Sequence, residues 1–229
     1  MVDKKVVLIT GGSDGLGKTL ANTLIKQYQV VILAPNEVKT KKTADEIGCD
    51  YKVGDVTNYE ELEIIIASVV KKYGRLDCLI NNAGLWIQGV LEENDPELIE
   101  KVIDVNTLGV IFATKSVIGQ MKKQSGGLII NINSQSGFYA KEERSVYTAS
   151  KWALTGFSKS IQPELAKFGI SVTDIHPGGM KTDFFEKANN SKDKSTFIDT
   201  VEVAKLIEFL ISLNPNTVIP EVGIKHIKN

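Results

Sequence analysis

Cysteine is scarce, charge of either sign is not in excess, and long apolar runs are missing. Cys49 and Cys78 are the only cysteines, and both fall in or beside predicted strands. Two buried free thiols in a reducing compartment fit this better than a disulfide framework or a metal site, so a cytoplasmic location is expected. The 27 Lys and Arg stand against 28 Asp and Glu, a net charge of −1, with 42% hydrophobic residues. That balance argues against a nucleic-acid binder, a disordered chain or a receptor for polyanions. The KTKK cluster, Lys39 to Lys42, reads as a solvated helix face. No apolar run comes near the roughly 18 residues that cross a bilayer, so no membrane partner is expected. The start MVDKKVVLIT is too short for a signal core. Repeats, linkers and low-complexity tracts are absent as well. The polar stretch KANNSKDKST, Lys187 to Thr196, is consistent with a lid over about 182–198 of one domain spanning 1–229.

What the chain does carry is strand and helix patterns in alternation. KKVVLIT is a continuous β-branched run, as expected of a strand covered on both faces. It leads into GGSDGLGKTLANTLIKQY, where Leu16, Leu20, Leu24 and Ile25 take one side of a helix. Strand, Gly-rich turn and helix together make a phosphate-binding device. Glycine lets the backbone approach a pyrophosphate, and the helix N-terminus offers free N–H groups. The spacing Gly11-x-x-x-Gly15-x-Gly17 is not G-x-G-x-x-G, and a plain tight turn is the alternative. QVVILAPN reads as a second buried strand. Where a dinucleotide fold would place an acid for the ribose or a base for a 2′-phosphate, this chain has Ala34, Pro35 and Asn36. Asp14, in the Gly-rich turn, would repel a 2′-phosphate and favours NAD(H), whereas Lys39 or Lys41 would reverse that preference.

The helix Glu37 to Ile47, the strand CDYKVGDV and a longer helix follow, the last opened by a capping box of Asn58 and Glu61 and stopped at Gly74. RLDCLINNAG is a fourth strand entering a small-residue loop, either a simple β-turn or a seat beside a ring system. Asp95-Pro96 opens a helix predicted to reach about Lys123. Asn106 lies on it among apolar neighbours, as a structural core amide or a catalytic one. GGLIINI, a long helix to about Phe168, and the strand GISVTDIHP complete the pattern. This alternation predicts an α/β fold with a parallel sheet covered on both faces. Ligands of such sheets sit beyond the carboxyl ends of the strands, where the Gly-rich turn, Ala83-Gly84, Ser134 and Pro177-Gly178 all fall.

The segment SQSGFYAKEERSVYTASK, Ser134 to Lys151, suits carbonyl chemistry. Tyr147 and Lys151 lie four apart on one helix face. A nearby ammonium favours phenolate and is expected to lower the Tyr147 pKa toward working range. Ser134, at the end of a strand, suits a hydroxyl directed at a polarised oxygen. An exposed helical Tyr/Lys pair is the alternative, since this spacing arises by chance in a chain with six tyrosines.

TGGSDGLG at Thr10 to Gly17, Asp55 after the third strand, NNAG at Asn81 to Gly84, Asn106, Ser134, YTASK and PGGMKT at Pro177 to Thr182 occur in one order. With them the chain resembles the short-chain dehydrogenase/reductase family from end to end. The resemblance implies a single-domain Rossmann fold, a doubly wound parallel sheet in the order 3-2-1-4-5-6-7 with helices on both faces. It also implies a homodimer or homotetramer built through the two long helices after strands four and five. The implied reaction interconverts a small alcohol and its ketone or aldehyde with NAD or NADP. In it Tyr147 is the general acid or base, Lys151 lowers its pKa and holds the nicotinamide ribose, Ser134 polarises the substrate oxygen, and Asn106 keeps a water in a relay to Lys151. Gly11, Gly15 and Gly17 would line the pyrophosphate, and Asp55 and Val56 the adenine. Asn82 and Ala83 would meet the adenosine-side ribose, and Pro177, Gly178, Met180 and Thr182 the nicotinamide carboxamide. Ser13, Asp14, Leu16, Asn36 and Gly84 complete the expected cofactor contacts.

The C-terminal NTVIPEVGIKHIKN lacks the TGQ-like ending of the 3-oxoacyl reductase branch, which points toward small hydroxy acids and simple carbonyls. Leu85, Trp86, Phe138, Tyr139, Met180, Phe184 and Phe185 form substrate walls or merely core and lid packing. His176 caps its strand or touches substrate. A dinucleotide-binding regulator or scaffold without turnover is the alternative function.

Overall fold

The VVLIT run becomes β1 (Val6–Thr10), buried along its whole length. It is buried because it lies mid-sheet, paired with β2 (Gln29–Ala34) on one edge and β4 (Cys78–Asn81) on the other. In a computed structural model that describes residues 4–188, 190 and 192–228, seven strands form one parallel sheet in the order β3-β2-β1-β4-β5-β6-β7. β3 (Asp50–Val53) closes one edge, and β5 (Gly127–Ile132), β6 (Ile170–Pro177) and β7 (Glu221–Ile224) extend the other. β7 and the helix before it, α7 (Thr200–Ser212), gave no distinct signal in the sequence pattern; the family resemblance alone implied a seventh strand.

Alternate residues of each strand face opposite layers. Val7, Ile9, Val30 and Ile32 pack under α1 (Gly15–Leu24) and α7. Val6, Leu8, Val31 and Leu33 pack under α3 (Tyr59–Tyr73), α5 (Gly109–Lys123) and α6 (Ser145–Ala166). Cys78 is buried in β4 and Cys49 half-buried before β3, both unpaired. Burial pushes both thiols up, that of Cys49 to about 11.

Helix ends follow the local chemistry. Asn36 accepts from the Lys39 N–H at 2.9 Å to open α2 (Glu37–Ile47), and Gly74 closes α3 with φ +76°. Asn58 accepts from the Glu61 N–H at 3.1 Å, but the capping box is one-sided, because the Glu61 carboxylate turns to the Asp55 N–H at 3.0 Å. The helix begun at Pro96 runs as α4 (Pro96–Ile103), a π-helical turn (Asp104–Leu108) and α5 without a break. This 28-residue element contains an 18-residue window of mean hydropathy 1.4. Length and composition alone would let it cross a membrane, but Asp104, Asn106, Thr107 and Lys115 interrupt it, so it is not an unbroken apolar run. In the fold it packs against α3 and α6 beside the sheet.

Candidate active site

The carboxyl ends of the strands open onto a cleft of about 1010 Å³. Its floor begins at the Gly-rich turn. Gly11 has φ +63°, and a Cβ there would lie 2.8 Å from Ala83 Cα. The Asn82 amide donates to the Thr10 and Gly11 carbonyls, both at 3.0 Å, while the Thr10 hydroxyl accepts from the Asn82 and Ala83 N–H groups. Turn and NNAG loop are therefore one braced unit, and the Asn82 side chain is engaged in bracing.

Ser13, Asp14, Gly15, Leu16, Asp55, Val56, Asn82, Ala83, Gly84, Pro177, Gly178, Met180 and Thr182 line the cleft with Gly11. Two residues expected there do not. Gly17 sits behind the turn, where a Cβ would be 2.3 Å from the Gly11 carbonyl oxygen, and Asn36 caps α2. Asp14 caps α1 by accepting from the Gly15 N–H at 2.7 Å and pairs with both Lys39 and Lys187. Partial burial pushes its carboxyl up, but Lys187, Lys39 and that N–H outweigh burial and hold it well below the usual carboxylate range.

At the other end stand Ser134, Tyr147 and Lys151. Tyr147 is 5% exposed and its ring lies 4.5 Å from that of Trp86. Burial pushes its phenol up to about 12, with the Ser134 hydroxyl and the Arg144 charge pulling weakly the other way. The Lys151 Nζ donates to the Ile132 carbonyl at 3.0 Å and lies 5.7 Å from the Tyr147 ring centroid. Burial lowers Lys151 to about 8, opposed by the Asp174 carboxylate. The phenol is thus raised where its lysine was expected to lower it: burial dominates both groups, and the charges acting on them are Arg144 for Tyr147 and Asp174 for Lys151.

Asn106 lies in the π-helical turn, fully buried and off the cleft wall. Its amide oxygen accepts from the Leu85 N–H at 2.7 Å, and its nitrogen donates to the Leu85 carbonyl at 2.9 Å and the Ser150 hydroxyl at 3.1 Å. Ser150 in turn donates to the Tyr147 carbonyl at 2.7 Å. The amide thus ties the loop after β4 to α6. His176 is also off the wall, stacked on Phe138 at 3.7 Å with Nδ1 2.9 Å from the Ser134 carbonyl. Leu85, Trp86, Tyr139, Met180, Phe184 and Phe185 do line the cleft, whereas Phe138 does not. Asn189 and Ser191, within the expected lid span, lie outside the described residues.

Sequence reasoning missed a buried polar cluster behind Lys151. Asp174 on β6 accepts from Asn131 at 3.1 Å, Asn133 at 3.1 Å and Ser158 at 2.6 Å. The signal was polar residues interrupting two apolar strands, GLIININ and SVTDIHP. Burial pushes Asp174 up from 3.8 to about 6, against those three hydrogen bonds. A carboxyl raised on folding stabilises the protein fully below about pH 3.8, and that contribution is lost as pH rises through about 6. Asp174→Asn, which cannot titrate, should therefore lose more stability relative to the parent at pH 4 than at pH 7, by up to about 3 kcal/mol. Urea unfolding at the two pH values measures this, and a gap that widens with pH would show the folded carboxyl is not raised.

Residues 5–193 match the short chain dehydrogenase family. The chain is 30% identical over 226 residues to a trans-4-hydroxycyclohexanecarboxylate dehydrogenase of Sinomonas cyclohexanicum, covering 92% of this chain and 87% of that protein. It is 36% identical over 185 residues to an uncharacterized oxidoreductase of Staphylococcus saprophyticus, covering 78% and 79%. Among solved structures it is similar to ElxO with NADP bound, at 33% identity and TM-score 0.87, covering 96% of this chain and 97% of that one. An actinorhodin polyketide ketoreductase with NADPH gives 28% identity and TM-score 0.89, covering 98% and 97%.

Proposed function

The chain belongs to the short-chain dehydrogenase family, and we propose on that basis that it is an NAD(P)(H)-dependent oxidoreductase interconverting a small alcohol and its ketone or aldehyde. The observation that carries this reading is one cleft lined at one end by a Gly-rich turn and at the other by Ser134, Tyr147 and Lys151. Its volume suits a dinucleotide with a small substrate beside it. The Gly-rich turn at the start of α1, with Asp55, Val56, Ala83, Pro177 and Thr182, would hold the cofactor, which supplies the hydride chemistry.

The chain's own residues handle the proton. A phenol at about 12 keeps its hydrogen at neutral pH, so Tyr147 is ready as the acid for reduction, and oxidation requires that proton to leave. Lys151, charged below about 8, would hold the ribose and favour the phenolate, and Ser134 would polarise the substrate oxygen. Asn106 acts by positioning, since its amide is committed to Leu85 and Ser150. The segment 182–198 would serve as a lid on a single domain, with Phe184 and Phe185 packed near Trp86. Leu98, Leu108 and Trp152, exposed on the long helices, fit a homodimer or homotetramer. Two unpaired thiols with raised pKa values fit the cytoplasm.

The preference for NAD(H) rested on a free Asp14 charge. Asp14 is paired with two lysines, and two similar structures hold NADP or NADPH, so that preference is withdrawn. Fluorescence titration with NADH and NADPH, followed by a panel of small ketones and hydroxy acids, tests the proposal; failure to bind either nucleotide would overturn it. Asp14→Asn frees Lys39 and Lys187 for a 2′-phosphate and should tighten NADPH about tenfold, with NADH changed by roughly twofold or less. Equal changes for both would show that those lysines do not reach the phosphate.

A further inference from the structure

Three cations gather at the substrate end of the cleft, and none is paired with a carboxylate among the described residues. Lys141, Arg144 and Lys192 all line it. The Lys192 Nζ lies 4.4 Å from the Trp86 ring centroid and 4.5 Å from that of Phe185, and the Arg144 guanidinium lies 5.3 Å from the Trp86 ring. Trp86 is the ring against Tyr147, so these charges and the phenol share one aromatic neighbour. Most of the neighbouring acids have other partners, and Glu142 is exposed. Glu143 accepts from Gln88, Asp183 and Glu186 pair with Lys194, and Asp193 accepts from Ser195. Among the described residues, no ion pair includes Lys141, Arg144 or Lys192. The buried Trp86 indole N–H also has no acceptor among the described residues.

Cations brought together and partly desolvated on aromatic faces repel one another, and an anion arriving between them removes that repulsion. Burial, with repulsion from Arg144 and Lys141, lowers Lys192 to about 8, in keeping with that crowding. A surface lysine left in water would feel little of this. A guanidinium beside an aromatic wall also matches the flat fork of a carboxylate.

We propose that Arg144 and Lys192, with Lys141 beside them, form a carboxylate subsite, so that the substrate is a hydroxy acid or oxo acid. The apolar wall of Trp86 and Phe185 between subsite and phenol would take the carbon skeleton. The substrate assignment rests on the oxidoreductase reading, but the subsite itself can be read by binding alone.

In a Trp152→Phe background Trp86 is the only tryptophan, and its fluorescence reports the subsite. Cyclohexanecarboxylate should bind at least about thirtyfold more tightly than cyclohexanecarboxamide, and either Lys192→Gln or Arg144→Gln should abolish most of that difference. Lys192→Gln is the decisive variant, because Arg144 precedes α6 and its loss also perturbs Tyr147. Equal binding of acid and amide overturns the subsite. So does inorganic phosphate displacing the acid at a lower concentration than the acid itself requires, which would point to a phosphorylated ligand. Turnover of 4-oxocyclohexanecarboxylate against its methyl ester separates the two readings. Reduction of both without preference for the acid removes the subsite and leaves the oxidoreductase. Preferential acid binding with no reduction of any ketone keeps the subsite and removes the oxidoreductase.

Discussion

Tyr147→Phe should lower kcat about a thousandfold while leaving the affinity for the nicotinamide cofactor nearly unchanged. Phenylalanine retains the ring that packs 4.5 Å from Trp86, so the cleft wall is preserved. Only the hydroxyl is lost. If that hydroxyl delivers the proton in reduction, its removal takes away an interaction that matters in the transition state, worth roughly 10²- to 10⁴-fold for positioned acid catalysis. Cofactor binding should survive, because the Gly-rich turn and its brace lie at the opposite end of the cleft. Stopped-flow reduction of the best substrate, with a parallel fluorescence titration of cofactor, separates the two effects. A variant turning over at the parental rate would remove Tyr147 from the chemistry; a matching loss of affinity would make its role one of binding.

Gly17→Ala should have the next largest effect, although Gly17 touches nothing in the cleft. A Cβ at this position would lie 2.3 Å from the Gly11 carbonyl oxygen, 2.7 Å from the Asn82 Nδ2 and 2.9 Å from Gly12 Cα. Two of those atoms are partners in one hydrogen bond, Asn82 to the Gly11 carbonyl at 3.0 Å. The methyl therefore presses on the bond that fixes the turn, and backbone atoms have little freedom to yield. Overpacking of this kind costs about 1–3 kcal/mol, and the absence of compliant neighbours puts Gly17 at the upper end. In a chain of this size that corresponds to a fall in Tm of roughly 5–10 °C. Cofactor affinity should drop about a hundredfold, because the turn must shift to relieve the clash. Gly119→Ala is the matched control: it lies in α5 with nothing within 4 Å of its Cβ position and should be neutral or mildly stabilising. Calorimetry of both variants checks the contrast, and equal melting temperatures would mean the turn relaxes freely.

The strands and helices that carry the site were legible because their signals are local. The runs VVLIT and QVVILA read as buried strands, and Asn58 and Gly74 mark helix ends through their own side chain or backbone, whereas Asn36, expected at the cofactor, proved to be a cap. The π-helical turn was not legible, since Val102, Val105 and Leu108 keep a spacing that an ordinary helix would also show. β7 was hidden in a short segment with no alternation of its own. The site residues followed from motif order, but their electrostatics did not. Four-residue spacing states that Tyr147 and Lys151 share a face, and says nothing of how deeply both are buried, which decides the direction of their pKa values. Asp14 shows the same gap, because its pairing with Lys187 joins positions far apart in the chain. The Asp174 cluster was within reach. Asn131 on β5 and Asn133 just past its end are two apart, and Asn131 is in register with Asp174 on β6.

The two thiols divide the sheet into an edge and a middle. Cys49 lies where α2 gives way to β3, at the rim, whereas Cys78 lies in β4 between β1 and β5. A disulfide reagent needs a thiolate, and burial keeps the thiolate fraction of both very small at neutral pH. Modification of Cys78 must then wait until β4 separates from its neighbours or loses its cover. Timed labelling of the two positions would act as a pair of clocks, one recording fraying at the border strand and the other recording how often the centre of the molecule comes apart.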